Sequence, residues 1–340
     1  MHRSEITIDL GAVRRNARTL LEALGGAALW AVVKADGYGH GAVDVAAAAL
    51  GAGASALCVA TVDEGLELRR ELPTARVVVL GPVLQSRAVA QARDAALELV
   101  VSSDEIPEGV RCHLKLDTGM GRFGLSELPA PTREVVGLMS HLATADTDAS
   151  FAERQIERFR EATAGYPELT RHLANSAAAL RYPAARFDAA RCGIALYGLS
   201  PFGEDPGRDG LEPALRWESR LAQVKLLAPG ESTGYGRRFV AEHETWIGLV
   251  PVGYADGFRR SLTGATVRVA GEPRQVVGTI SMDSFAVQLD HALPVGTPVV
   301  LMGGGVSAEE HARIAGTITY ELVTGITSDP RRARRTVVDA

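Results

Sequence analysis

Leu29-Trp30-Ala31-Val32-Val33-Lys34-Ala35-Asp36-Gly37-Tyr38-Gly39-His40-Gly41 is an apolar run that stops on a lysine and three spaced glycines. A run this short, bounded by glycine, reads as a strand buried on both faces. The same texture recurs at residues 56–60, 77–80, 98–101, 113–116 and 135–139, and helix-like segments occupy residues 11–24, 42–50, 62–72 and 84–95. Such β–α alternation implies a parallel sheet, and repeated this often it implies a (β/α)8 barrel. The C-terminal strand ends of that barrel carry its chemistry, so Lys34 stands where an active site is expected. Partial burial there favours the neutral amine, which can form a Schiff base. Taken alone, the same lysine also reads as one snorkelling at a strand edge beside a glycine turn.

Two connections break the alternation. Residues 103–110 are fewer than the dozen or so a parallel crossover needs. Residues 125–134 contain Pro129 and Pro131, which disfavour a long helix. Two outer helices are therefore expected to be short or missing. Beyond residue 211, strand-like runs at 217–227, 246–252, 266–269, 276–281 and 299–302 follow one another without long helices. The expected organisation is a (β/α)8 barrel over residues 9–210 and a mostly β domain over 211–340, joined by residues 1–8.

The 340 residues suffice for two domains, and 46% hydrophobic content can fill both cores. A net charge of −5 argues against nucleic acid, because no basic excess is present to neutralise phosphates. Cys58, Cys112 and Cys192 form no CxxC pair, so neither a disulfide framework nor a zinc site is expected, and a reducing cytoplasm fits. The opening MHRSEITIDL lacks the charged-then-apolar pattern of a signal peptide. The mildly apolar residues 42–60 are interrupted by Asp44 and a turn at 51–55, so no membrane span is expected.

Several further motifs follow the lysine in order. They are His-Leu-Lys115-Leu-Asp-Thr-Gly-Met-Gly-Arg122, Ser-His141-Leu-Ala-Thr-Ala-Asp, His172-Leu-Ala-Asn-Ser176, Arg191-Cys-Gly193-Ile194-Ala-Leu-Tyr-Gly, Gly-Tyr235-Gly, Val-Gly-Tyr254-Ala-Asp-Gly and Ser281-Met282-Asp283. Each is weak alone, but the ordered set spans nearly the whole chain and resembles the alanine racemases. The resemblance implies an isomerase that interconverts L- and D-alanine with pyridoxal 5'-phosphate, supplying D-alanine for peptidoglycan. Lys34 would carry the cofactor, whose ring is the electron sink. Tyr38, Ser176 and the backbone N–H groups of Gly193 and Ile194 would hold its phosphate, although on residue type alone Ser176 reads as a helix cap. Arg191 would face the pyridine nitrogen, and a permanently charged partner cannot accept that ring's proton.

Racemisation needs a base on each face of a planar carbanion, and the resemblance assigns these to Lys34 and Tyr235. A phenol needs a neighbour that stabilises its phenolate. His141, between the tyrosine and Arg191, fills that role by resemblance, with His172 as a second neighbour of the arginine. In the family the tyrosine acts in the partner subunit's site, so a head-to-tail homodimer with two shared sites is implied. Tyr254 and Met282 would shape the substrate pocket from the partner, and Arg122 with the Met282 N–H would hold the substrate carboxylate. Lys115 matches a lysine often carbamylated in the family, and an ordinary salt bridge is the other reading. Asp283 would fix the loop that carries Met282.

Gly119-Met-Gly121-Arg-Phe-Gly124 satisfies GxGxxG, but Pro129 and Pro131 follow where a dinucleotide fold needs a helix. The basic run at residues 331–335 reads as a solvated end. Ser328 and Asp329 stand where the family has a tyrosine and an arginine near the phosphate, which implies one weaker contact. Other readings are a serine or broad-specificity racemase, a non-catalytic pyridoxal-phosphate carrier, and a decarboxylase of the same fold. Tyr235 in a second domain speaks against a barrel-only carrier. Arg191 and Ser281 speak against the decarboxylase, which uses an acidic residue and a cysteine there.

Overall fold

The structure, a computed structural model, describes residues 2–340. After β1 (Glu5–Asp9) come β2 (Ala28–Val32), β3 (Ala56–Val59), β4 (Val77–Val79), β5 (Glu98–Val101), β6 (Cys112–Lys115), β7 (Val135–Met139), β8 (Thr170–His172) and β9 (Ala189–Cys192). Strands β2 to β9 pair in chain order and close into a barrel, with Trp30 opposite Arg191 at the β2–β9 seam. Every residue of β3, β4 and β5 is buried. Both faces of these strands are covered, which is why they are apolar apart from Glu98 at the start of β5 instead of alternating.

Helices Leu10–Leu24, Ala42–Gly51, Val62–Glu71, Ser86–Asp94, Ala149–Thr163 and Ser176–Arg181 accompany the barrel strands. Thr61 and Glu64 open the third of these with a capping box. The two clipped connections, β5 to β6 and β6 to β7, hold turns and bends in place of helices. In the second, Leu125 donates its N–H to Lys115 O at 2.7 Å and Asp117 donates to Leu125 O at 2.8 Å. The segment thus folds back on the end of β6 and builds a loop there.

The described chain forms two compact units. Ala12–Phe202 and Pro206–Glu212 form the barrel unit, and residues through Gly11, Gly203–Asp205 and Pro213–Ala340 form the other. The second unit holds β1, β10 (Leu215–Arg220), β11 (Gln223–Leu227), β12 (Ser232–Thr233), β13 (Phe239–Val240), β14 (Thr245–Val250), β15 (Thr266–Val269), β16 (Glu272–Val277), β17 (Phe285–Leu289), β18 (Pro298–Met302) and β19 (Arg334–Val338). Nine of these form one sheet in the order β11-β14-β17-β16-β15-β18-β10-β1-β19. The run at 217–227 is two strands. Leu221 donates to Thr297 O and Ala222 to Leu249 O, so the chain changes neighbours between them, leaving β18 for β14. Trp217, Phe258 and Phe285 centre the apolar interior, with the two phenylalanine rings stacked at 4.4 Å. Among the described residues, no helix is long and apolar enough to cross a membrane.

Candidate active site

Beyond β2 the backbone makes an unusual turn. Ala35, Asp36, Gly37 and Tyr38 have φ of 53°, 49°, 60° and 54°. Left-handed backbone costs a residue with a Cβ roughly 1–2 kcal/mol, so a run of four that includes three such residues, Ala35, Asp36 and Tyr38, needs external support. Glu64 supplies it. Its carboxylate accepts from Ala35 N at 2.7 Å and from Ala60 and Thr61 N at 2.6 and 3.1 Å. Asp36 Oδ1 accepts from Ala42 N at 2.9 Å. The helix-capping glutamate is therefore also the clamp on the lysine loop. Glu64→Ala is expected to leave these N–H groups without their acceptor and to lower unfolding stability by about 1–3 kcal/mol, read as a shift of the denaturant midpoint.

The turn brings Tyr38 back against the barrel mouth. Its ring lies 4.9 Å from that of Tyr197, whose hydroxyl donates to Val32 O at 2.9 Å. A Cβ on residue 193 would fall 2.5 Å from the Tyr38 oxygen, so this approach requires Gly193. Ser176 Oγ accepts from Gly193 N at 3.0 Å and from Ala195 N at 3.4 Å. Asn175, not Ser176, caps the helix, with Oδ1 accepting from Ala178 N at 3.0 Å. Tyr38, Ser176, Gly193 and Ile194 thus share one corner of the barrel mouth.

Arg191, 3% exposed, is held by acceptors on both terminal nitrogens. Nη1 donates to His172 Nδ1 at 2.8 Å and His172 O at 2.7 Å. Nη2 donates to Ser140 O at 2.7 Å, and to His141 Nδ1 and Leu173 O at 3.2 Å. Burial pushes the guanidinium down to about 10, still charged at neutral pH. Burial and the Arg191 charge hold His141 and His172 well below the usual histidine range, so both rings are neutral acceptors. Gln155 braces the strand end, donating to His141 O and Thr118 Oγ1, both at 3.2 Å.

Lys34, Lys115 and Arg122 complete a cationic group around Arg191. Burial, and then Arg122, lower the Lys34 amine below its ordinary value. The same causes bring Lys115 down to about 8. Arg122 sits on the GxGxxG loop, which opens no helix. Asp117 Oδ1 instead ties that loop, accepting from the N–H groups of Gly119, Met120 and Gly121 at 2.9, 2.8 and 3.1 Å.

Tyr235, Tyr254 and Met282 belong to the other unit and are 74%, 43% and 52% exposed. Their turns adjoin. Tyr254 N donates to Ser281 O, Ala255 N to Met282 O, and Thr279 Oγ1 to Tyr235 O. Asp283 pairs with Arg332 at 2.7 Å. Arg332 also meets the fully buried Asp256 at 2.8 Å, and Arg3 meets Asp256 at 2.9 Å. The basic run is therefore not wholly a solvated end, because a buried carboxylate draws Arg332 inward. Arg331 stays exposed and pairs with Asp329 at 2.7 Å.

The family model described as "Alanine racemase, N-terminal domain" matches residues 8–201, and "Alanine racemase, C-terminal domain" matches 214–335. The chain belongs to the alanine racemase family. It is 41% identical to alanine racemase of Symbiobacterium thermophilum over 94% of this chain and 93% of that one. The enzyme of Lactiplantibacillus plantarum is 36% identical over 95% of each. The crystal structure of alanine racemase from Streptomyces lavendulae superposes with a TM-score of 0.92 at 36% identity, covering 100% of this chain and 98% of that one. Sequence reading overlooked His113, Glu98, Gln155 and the second role of Glu64. Of these, Glu64 carries a visible signal in its Thr-x-x-Glu spacing, and His113 in lying two residues before Lys115 on one strand face.

Proposed function

We propose that this chain interconverts L- and D-alanine with pyridoxal 5'-phosphate, and so supplies D-alanine for peptidoglycan. The observation that carries the reading is the buried, donor-only Arg191 fixed beside a partly desolvated Lys34 at the C-terminal mouth of the barrel. The residues present fit the cofactor. Gly193 admits the Tyr38 phenol where a Cβ would clash, and Ser176, having accepted two N–H bonds, can turn its own O–H toward an anion. Tyr38, Ser176 and the Ile194 N–H would hold the phosphate, joined by the Gly193 N–H once it turns from Ser176 Oγ, its acceptor in this structure. When bound, the cofactor supplies the electron sink that lets the α-proton leave.

The protein's own groups do the rest. The terminal nitrogens of Arg191 are committed to His172, His141 and backbone carbonyls, so Nε–H is the donor that would remain for the pyridine nitrogen. The Lys34 amine, its pKa lowered by burial and by Arg122, takes or returns the proton on one face. The partner subunit's Tyr235 does so on the other, its phenolate stabilised by His141, whose Nδ1 accepts from Arg191 and whose Nε2–H is left to donate. Exposure of Tyr235, Tyr254 and Met282 within one chain supports a head-to-tail homodimer that covers them. Arg122 and the N–H of the partner subunit's Met282 would hold the alanine carboxylate, and the partner subunit's Tyr254 leaves room for a methyl group more readily than for a larger side chain. Three buried free cysteines fit the cytoplasm.

Lys115, neutral in part near pH 8, adds carbon dioxide through its nitrogen, loses one proton and becomes a carbamate that balances Arg122. Wild-type protein equilibrated with ¹³C-bicarbonate is expected to show a carbamate carbon signal that Lys115→Ala lacks. Its absence from wild type leaves the lysine a plain cation. The racemase reading itself is tested by incubating purified protein with L-alanine, with and without pyridoxal phosphate, and resolving the enantiomers. D-alanine formed only with the cofactor supports it, and unchanged L-alanine overturns it. A serine racemase would show the same conversion on L-serine at a higher kcat/KM.

A further inference from the structure

The hydrogen bonds below Arg191 do not stop at His172. His172 Nε2 lies 2.9 Å from His113 Nδ1, and His113 Nε2 lies 2.8 Å from Glu98 Oε2. Glu98 then meets Arg76 at 2.9 Å and Arg111 at 3.2 Å. Apart from Arg76 and Arg111, every side chain in this series is buried. It descends the barrel interior from the ends of β8 and β9 to Glu98, the first residue of β5, close to the opposite mouth.

Only one placement of protons satisfies the series. An arginine can only donate and an ionised carboxylate can only accept. Arg191 therefore donates to His172 Nδ1, so the His172 proton sits on Nε2 and is donated to His113 Nδ1. The His113 proton then sits on Nε2 and is donated to Glu98. Reversing either ring sets two donors against each other within 3 Å. Burial would raise the Glu98 carboxyl, but bonds from His113 and Arg76 outweigh it and hold it at about 2.

Space for this series is built into the barrel. A Cβ on residue 137 would fall 2.2 Å from His113 Nδ1, so β7 carries Gly137 at that point. Trp30 packs against both imidazoles, with ring centroids 4.4 Å from His172 and 5.6 Å from His113.

We infer that His113 and Glu98 are positioning residues for Arg191: they lock His172 as its Nε2–H tautomer, so that the Nδ1 lone pair faces and anchors the guanidinium. This rests on the reading above that Arg191 faces the cofactor ring. The tautomers, however, are a property of this chain alone and can be read without turnover.

The test is ¹⁵N-imidazole NMR of the full-length holoenzyme, with steady-state kinetics on alanine. Wild type is expected to show His172 and His113 as neutral Nε2–H rings. His113→Phe leaves the His172 Nε2–H without an acceptor, so His172 is expected to populate the Nδ1–H tautomer. kcat should then fall about 10–100-fold, the loss typical of removing an outer-shell partner, with KM little changed. His113→Gln offers an acceptor and a donor on one amide and is expected to restore both readouts. A wild-type His172 that is Nδ1–H or doubly protonated overturns the inference, as does a His113→Phe protein with unchanged tautomer and kcat. If His113→Phe does not fold, the wild-type tautomers and His113→Gln decide. A wild type that shows the tautomers but does not racemise alanine rejects the functional reading and leaves the lock standing.

Discussion

Tyr235→Phe is expected to stop racemisation while leaving half of the chemistry running. The substitution removes one oxygen from a side chain that is 74% exposed within its own chain, so folding of the subunit should be undisturbed. Losing a positioned acid–base group costs about 10²–10⁴-fold in rate. The Lys34 amine remains on its own face. One alanine enantiomer should therefore still exchange its α-hydrogen for deuterium in D2O without inverting, and the other should do neither. Proton NMR of each enantiomer incubated separately, with chiral chromatography, reads both halves. Racemisation at the wild-type rate would remove Tyr235 from the mechanism.

The other large effect is expected from Lys34→Ala. Racemisation should fall by about 10⁴-fold or more, beyond the range of a single acid–base group, because the same amine also holds the cofactor. Borohydride treatment followed by peptide mass spectrometry should find reduced pyridoxal phosphate on the Lys34 peptide of wild type and nowhere in the variant. Stability should move the other way. Burial and Arg122 lower the Lys34 pKa in the folded chain. Such a group contributes stability above its unfolded value, near 10.4, and that contribution is lost as pH falls through the folded one. At neutral pH, below that unfolded value, the folded chain therefore carries a cost at this partly buried amine, which lies among Arg122, Arg191 and Lys115. The apoprotein variant should melt no lower than wild type, and a clearly lower melting temperature would mean that Lys34 is mainly structural.

The barrel was legible because its early strands are continuous apolar runs with glycine at their ends. Two strands that carry buried polar groups were not. Thr170–His172 and Ala189–Cys192 contain a histidine and an arginine, and nothing in Thr-Arg-His or Ala-Ala-Arg-Cys marks a buried strand. The burial of Arg191 is offset by acceptors just past the ends of β7 and β8, Ser140 O and Leu173 O, which no window local to Arg191 contains. Helix Ala149–Thr163 was legible in principle, since Asp148 caps it and Ala152, Ile156 and Phe159 line one face. At the site, the motifs name residues in order along the chain. They say nothing of the left-handed turn that returns Tyr38 to Gly193, or of the Glu64 clamp beneath it.

The position of β1 within its sheet bears on how the molecule is made. Glu5 pairs with Glu218 on one side and with Arg334 on the other, so both neighbours of this strand lie far downstream. The barrel strands, by contrast, come from one continuous stretch ending at Cys192. At a synthesis rate of roughly 5–20 residues per second, β1 waits on the order of tens of seconds for its second neighbour. During that interval Ile6 and Ile8, both fully covered in the finished protein, stand open to solvent. The apolar side chains of β1 thus gain their complete cover only once the last strand of the sheet has been made.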